Sequence, residues 1–208
     1  MISGPAASRY ICWDLDGVVV HSPSLEEQGC HPEAIRLYAL LQDGHPLWQA
    51  CLTGLQESRE ALFQLAHEYD VPFRHCERLL ELWQTSFHVD PAVLALIRKT
   101  RQAGFQVAVA SNQDHARARR LRALPELASL VDLWGFSCTL QAAKPDEGFY
   151  LNLRGMLPAG ARPAAFIDDR ADNLLYPRAL GWQVHHYTQA QALETFLDDL
   201  ILSGEQNA

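Results

Sequence analysis

The chain has 208 residues, 48% hydrophobic and 20% charged, with 12 Gly and 11 Pro; these proportions exclude a disordered, collagenous or fibrous chain and suit one ordinary core with room for a small insertion. Lys and Arg number 17 against 25 acidic residues, a formal net charge of −8, and no basic run departs from that balance, so no nucleic-acid partner is expected. An anionic substrate would need a cation or local donors to reverse the field at its site. The start, Met1-Ile-Ser-Gly-Pro-Ala-Ala-Ser, lacks a basic n-region and an apolar h-region, so no secretory signal is expected. No apolar run approaches bilayer length. Cys12, Cys30, Cys51, Cys76 and Cys138 show no CxxC spacing; buried, reduced thiols in the cytoplasm are the expectation, not a zinc site or a disulfide framework.

In chain order, short apolar runs read as buried strands at Tyr10–Trp13, Phe105–Ala110, Leu130–Trp134, Ala164–Ile167 and Trp182–His185. Helical spacing occupies Pro91–Ala103, Ala116–Leu124 and Glu147–Arg154, and Gly104 stands where a left-handed cap is usual. This alternation predicts an α/β fold, a Rossmann-like parallel sheet with helices on both faces. Residues 19–90 interrupt it with helical spacing only: Glu33–Leu41, Leu47–Thr53, Ser58–Tyr69 with Ser58 as N-cap, and His75–Phe87. The expectation is an all-helical cap domain at 19–90, inserted after the first strand of a core domain made of 1–18 and 91–208. Pro23 and Pro91 would mark its hinges.

The chemistry-bearing residues cluster at predicted strand ends. Trp13-Asp14-Leu15-Asp16-Gly17-Val18 closes the first strand with two carboxylates one residue apart, where parallel sheets bind ligands. One carboxylate can attack while the other moves a proton, which suits phosphoryl transfer; a solvated Asp-Gly turn is the plain alternative. Phe166-Ile167-Asp168-Asp169 ends another strand in adjacent acids, which repel unless a cation or strong donors neutralise them. With Asp14 and Asp16 they make a hard oxygen-ligand set suited to Mg²⁺, against the alternative of two unrelated turns. Ser111-Asn112 ends a third strand before a helix whose N–H groups would face an anion; the same pair also serves as an ordinary helix cap. Lys144, in Ala143-Lys144-Pro145-Asp146, starts a helix where a cation opposes the macrodipole, 24 residues ahead of Asp168. Simple solvent exposure is its bland reading.

Together and in this order, DLDGV at 14–18, SN at 111–112, KPD at 144–146 and FIDD at 166–169 resemble the haloacid dehalogenase-like (HAD) superfamily of phosphohydrolases. The resemblance covers most of the chain. It implies a sheet with the first strand central, flanked by the strands that carry Ser111 and the acid pair. It implies Asp14 as nucleophile, Asp16 as general acid/base, and Ser111, Asn112 and Lys144 as phosphate contacts, Lys144 also aiding catalysis. Mg²⁺ would be held by Asp14, the backbone carbonyl of Asp16 and Asp169, with Asp168 assisting. Leu52-Thr-Gly-Leu-Gln-Glu-Ser-Arg-Glu-Ala-Leu-Phe, followed by Trp83 and Phe87, looks like the small helical cap of one subgroup. Ser111-Asn-Gln-Asp-His-Ala-Arg-Ala-Arg-Arg-Leu is similar to that subgroup's second motif. Two departures stand out. Pro177 falls in the stretch expected to be helical, Asn173–Leu180, and should shorten or kink it. Asn173 occupies a position where many relatives have a further acid, which leaves the metal to Asp168 and Asp169.

The implied activity is Mg²⁺-dependent hydrolysis of a small phosphomonoester through an aspartyl-phosphate. The implied partner is a small phosphorylated metabolite, with neither nucleic acid nor membrane, and the chain a cytoplasmic monomer or weak dimer. A phosphosugar mutase shares the same four motifs. A haloacid dehalogenase needs no metal and no proton for its leaving halide, so Asp16 counts against it. An idle binding module on this fold would be free to lose a carboxylate, and none is missing. The nine histidines show no HxxH or HxH pairing and are read as packed or exposed, with His21 placed to face a substrate. Trp48, Trp83 and Trp134 are read as packing.

Overall fold

Alternate side chains of the first strand enter two different cores, as a strand buried between helical layers requires. The computed structural model describes residues 8–205, and the reading of the first seven residues lies outside them. The strands are β1 (Arg9–Trp13), β2 (Val20–His21), β3 (His88–Val89), β4 (Gln106–Ser111), β5 (Leu133–Phe136), β6 (Arg162–Asp168) and β7 (Gln183–His186). Five of them form one parallel sheet in the order β5-β4-β1-β6-β7. Ile11, Trp13, Val107, Val109, Ala165 and Ile167 pack on one face; Tyr10, Cys12, Ala108, Ala110 and Phe166 pack on the other.

Four helices, α1 (Pro32–Gln42), α2 (Pro46–Leu52), α3 (Ser58–Glu68) and α4 (Phe73–Thr85), lie between β2 and β3. They share a core of their own through Leu37, Leu41, Leu62, Leu65 and Leu79, each such leucine contributing roughly 1.5–3 kcal/mol of burial. The chain enters and leaves this insert side by side, because β2 and β3 pair antiparallel, Val20 with Val89 and His21 with His88. Two-residue strands leave no periodicity, and sequence reasoning missed them. Pro23 and Pro91 each follow two residues after one of these short strands. The insert also rests on the core at Gly54, whose φ is +77°. A Cβ there would stand 2.3 Å from the Cys138 carbonyl oxygen and 2.8 Å from His115 Nε2.

The remaining helices are α5 (Pro91–Gln102), α6 (His115–Arg122), α7 (Pro125–Ala128), α8 (Ser137–Leu140), α9 (Glu147–Gly155), α10 (Leu175–Ala179) and α11 (Ala190–Glu205). Asp90 caps α5 by accepting from Ala92 and Val93 N–H, and Gly104, at φ +85°, ends it with Phe105 N–H bonded to the Thr100 carbonyl. Most boundaries lie one to three residues from their predicted places, and two differences at element starts have a visible cause. The β5 strand starts at Leu133 because Leu130 and Val131 close the turn of α7 with bonds to Leu127. Ser58 opens α3 rather than capping it; Glu57 precedes it without a side-chain cap. Around Pro177 the expected helix is a 3-10 turn, Ala171–Leu174, followed by the five-residue α10. All five cysteines are buried and free. Among the described residues no helix is long and apolar enough to cross a membrane.

Candidate active site

Because β4, β1 and β6 are adjacent and parallel, their carboxyl ends bring Ser111, Asp14 and Asp168 to one rim. Asp14 follows the last residue of β1, is 6% exposed, and donates its N–H to the Ile167 carbonyl. Lys144 arrives from the loop before α9, past a cis Lys144–Pro145 peptide. Its ammonium lies 3.0 Å from Asp14 Oδ2 and 2.6 Å from Asp168 Oδ2. The lysine is buried, and the solvent-exposed reading of it is overturned. Asn112, predicted as a phosphate contact, has its side-chain amide occupied: it exchanges two bonds with the Lys144 backbone, at 2.9 and 2.8 Å. Its part is to hold the lysine's loop against β4. Ser111 is buried beside Asp14.

The second acid pair divides into an inner and an outer member. Asp168 is fully buried, and besides Lys144 it accepts from Arg170 N–H and Asn173 Nδ2, both at 2.9 Å. Asn173 is therefore a brace for Asp168. Asp169 lies at the exposed rim and reaches over Gly17. Gly17 has φ +79°, and a Cβ there would meet Asp169 Oδ2 at 2.3 Å, so only glycine lets the two strand ends approach.

Three carboxylates, Asp14, Asp168 and Asp169, bring one oxygen each within 4.8 Å of one another. One buried cation faces them. Burial pushes the Asp14 carboxyl up to about 7; Lys144 opposes that rise, Asp168 adds to it, and Ser111 opposes it. Asp169 is also raised, by burial and then by Asp168. Burial pulls Lys144 down, but Asp14 and Asp168 outweigh it and hold the lysine protonated. A single ammonium does not neutralise the set, and an all-oxygen cluster with charge to spare fits a hard divalent cation.

Asp16 stands apart from this cluster. Its carboxylate accepts from Gln113 Nε2 at 2.6 Å and from Arg117 Nη2 at 2.5 Å, while its side chain stays 44% exposed. Sequence reasoning did not single out Gln113 or Arg117 as functional; both sit inside the 111–121 segment, but spacing alone does not reveal which side chains turn inward. A cavity of about 500 Å³ joins these groups, lined by Asp14, Asp16, Ser111, Lys144 and Asp169 from the sheet side and by Gln42, Trp48, Gln49 and Leu52 from the insert. Trp48 thus lines the cavity as well as packing against Tyr38 and Trp83. His21 does not line it and lies 3.6 Å from Asp90.

The family model of the haloacid dehalogenase-like hydrolases matches residues 9–181, which span every one of these groups. The chain belongs to that family. As a HAD-like hydrolase it shares its fold with a predicted HAD-like family hydrolase from Porphyromonas gingivalis, 22% identical, with a TM-score of 0.61 over 86% of this chain and 91% of that one. A HAD family enzyme from Bacteroides thetaiotaomicron, solved with magnesium and inorganic phosphate, is 16% identical with a TM-score of 0.67 over 88% and 95%. An archaeal beta-phosphoglucomutase from Pyrococcus is 17% identical with a TM-score of 0.53, over 86% of each chain. No curated protein matches the chain.

Proposed function

We propose that this HAD-like hydrolase is a Mg²⁺-dependent phosphatase of a small phosphomonoester, with residues 19–90 as a cap domain over a core of 1–18 and 91–208. The observation that carries the reading is the contrast between two carboxylates on one cavity. Asp14 is buried against a lysine, as suits a nucleophile; Asp16 is half open and held by Arg117 and Gln113, as suits a proton carrier. An Asp14 oxygen attacks phosphorus, the bond from phosphorus to the ester oxygen breaks, and Asp16 delivers its proton to that oxygen. Asp16 then takes a proton from water as the water attacks the same phosphorus, which frees phosphate and restores Asp14. Lys144 offsets the phosphoryl charge throughout. Asp14, Asp169 and the Asp16 carbonyl would hold Mg²⁺, which supplies further charge stabilisation for the phosphoryl oxygens. The −8 chain thereby acquires a local positive field for a dianion.

The test is release of inorganic phosphate from a panel of phosphomonoesters with Mg²⁺, using Asp14→Asn as the blank. Phosphate release that the blank lacks supports the reading. Release that survives in Asp14→Asn removes it. Transfer of the phosphoryl group to a second hydroxyl of the substrate, without net phosphate, would assign a mutase instead.

A further inference from the structure

Arg119, Arg120 and Arg122 of α6 are exposed, but Arg117 is 1% exposed. A buried guanidinium is costly unless acceptors surround it. Those around Arg117 come from three separate segments. Nη2 donates to Asp16 Oδ1 at 2.5 Å and to Ser22 Oγ at 3.2 Å, and Nη1 donates to the Trp83 carbonyl. The guanidinium also lies over the rings of Trp83 and Phe87, 4.8 and 5.1 Å from their centroids. Ser22 is on the segment entering the helical insert; Trp83 is in the last turn of α4, whose carbonyls lack helical partners, and Phe87 follows on the way out. The fork geometry of arginine suits this many-sided hold; a lysine ammonium would not span it while stacking on two rings.

Asp16 is the only one of these partners that faces the cavity. A carboxylate offers about four lone-pair sites. Arg117 occupies one on Oδ1 and Gln113 one on Oδ2, and neither of these residues lines the cavity. What remains is a carboxylate whose angle is set by a residue that also grips both connections of the insert.

We propose that Arg117 is a positioning residue that fixes the angle of Asp16 and ties that angle to the seating of the insert through Ser22 and Trp83. The inference rests on Asp16 as the acid/base of the proposed phosphatase. Its signature is a leaving-group effect. An acid that is present but misaimed fails the poor leaving groups and spares the good ones, whereas a merely structural arginine would weaken all substrates alike. Misplacement of a catalytic group by about 1 Å costs on the order of 10²-fold.

The experiment compares kcat/KM for p-nitrophenyl phosphate, whose leaving group departs without a proton, and unsubstituted phenyl phosphate, whose leaving group needs one more. Both are measured with Mg²⁺ in the wild type, Arg117→Lys, Arg117→Met and Trp83→Leu, each with a thermal melt. In the Arg117 variants the phenyl ester should lose about 10²-fold and the nitrophenyl ester only a few-fold. Trp83→Leu leaves the acid untouched and takes away a ring that the guanidinium lies over. Because Trp83 also packs on Trp48 of the cavity wall, the variant is read not by KM but by the ratio of the two esters, which it should move in the same direction, by several-fold. It also carries the test if Arg117→Met does not fold. An unchanged ratio in folded variants overturns the proposal while the wild type remains an active phosphatase. A wild type that releases phosphate from neither these two esters nor any other phosphomonoester of the panel overturns the functional reading itself, and this inference with it.

Discussion

The two walls of the cavity are built by opposite rules. On the sheet side, every acid except the outer Asp169 is held by several partners: Asp168 by Lys144, Arg170 and Asn173, Asp16 by Arg117 and Gln113. On the insert side, Gln42, Trp48, Gln49 and Leu52 bring no formal charge, and Gln42 and Gln49 are exposed. On the proposed phosphatase reading, the wall of fixed charges would perform one chemistry on any phosphoryl group. The wall of neutral amides and an indole would discriminate among leaving groups by shape and hydrogen bonding, which shifts energies less per contact. The catalytic half should therefore fail steeply and the recognition half gently.

The steepest failure should be Asp14→Asn. An amide does not form the acyl-phosphate, and phosphate release should fall to background, a loss on the order of 10⁴–10⁶-fold, read by steady-state assay. Retained turnover would dissolve the contrast between the walls. Next come the paired acids, which should separate by observable. EDTA should abolish activity, and Asp169→Asn should raise the Mg²⁺ concentration for half-maximal rate more than Asp168→Asn does. Asp168→Asn should instead cost about 3 kcal/mol of folding stability, because it takes one of two counter-charges from buried Lys144. Denaturant melts and metal titrations of the two variants decide it; equal behaviour would merge the inner and outer roles.

Smaller effects belong to the insert wall and to the helix caps. Gln49→Ala should raise KM for a favoured ester by about 2–10-fold, the worth of one hydrogen bond, and leave kcat for p-nitrophenyl phosphate unchanged. A fall in kcat there would make the insert part of the chemistry. Smallest is the α6 cap. Asp114 accepts the Arg117 N–H at 2.9 Å, and its loss in Asp114→Ala should cost about 1 kcal/mol. Burial raises this carboxyl, against the opposing Arg117 N–H, Ser58 and Ala116. The native state thus keeps its proton more readily than the unfolded chain, so stability falls as pH climbs from the ordinary carboxylate range through the raised value. Asp114→Asn keeps the acceptor oxygen and should remove that fall, visible in melts across pH.

The parts of the molecule that sequence reasoning reached share a property: their signal is local. The apolar run of β1 followed by Asp14 and Asp16, the Phe166–Asp169 ending, and the glycine after α5 are each written in consecutive residues, and their strand order came with the family resemblance. What stayed hidden depends on contacts made far along the chain. Gln113 and Arg117 meet Asp16 from about a hundred residues away. Asn112, expected on the phosphate, lines the cavity but has its side-chain amide bonded to the Lys144 backbone, and nothing in a Ser-Asn pair reveals that Lys144 will lie opposite. The β2–β3 pairing is two residues long on each side, below any periodicity. Ser58 has the chemistry of an N-cap but faces inward toward Asp114, which only the packing of α3 on the core decides.

Gly54 sits two residues beyond α2, the helix that carries Trp48, Gln49 and Leu52 across the cavity. It rests where a single methyl would collide with the Cys138 carbonyl and with His115. The headroom above Asp14 is thus gauged by a missing carbon. Any side chain at 54 would act as a wedge between α2 and the core, pressing on the Cys138 carbonyl and on His115 at the start of α6, the helix that carries Arg117 to Asp16. On the proposed reading, such a variant would trade selectivity for access to water and bulkier esters through a residue that does not line the cavity.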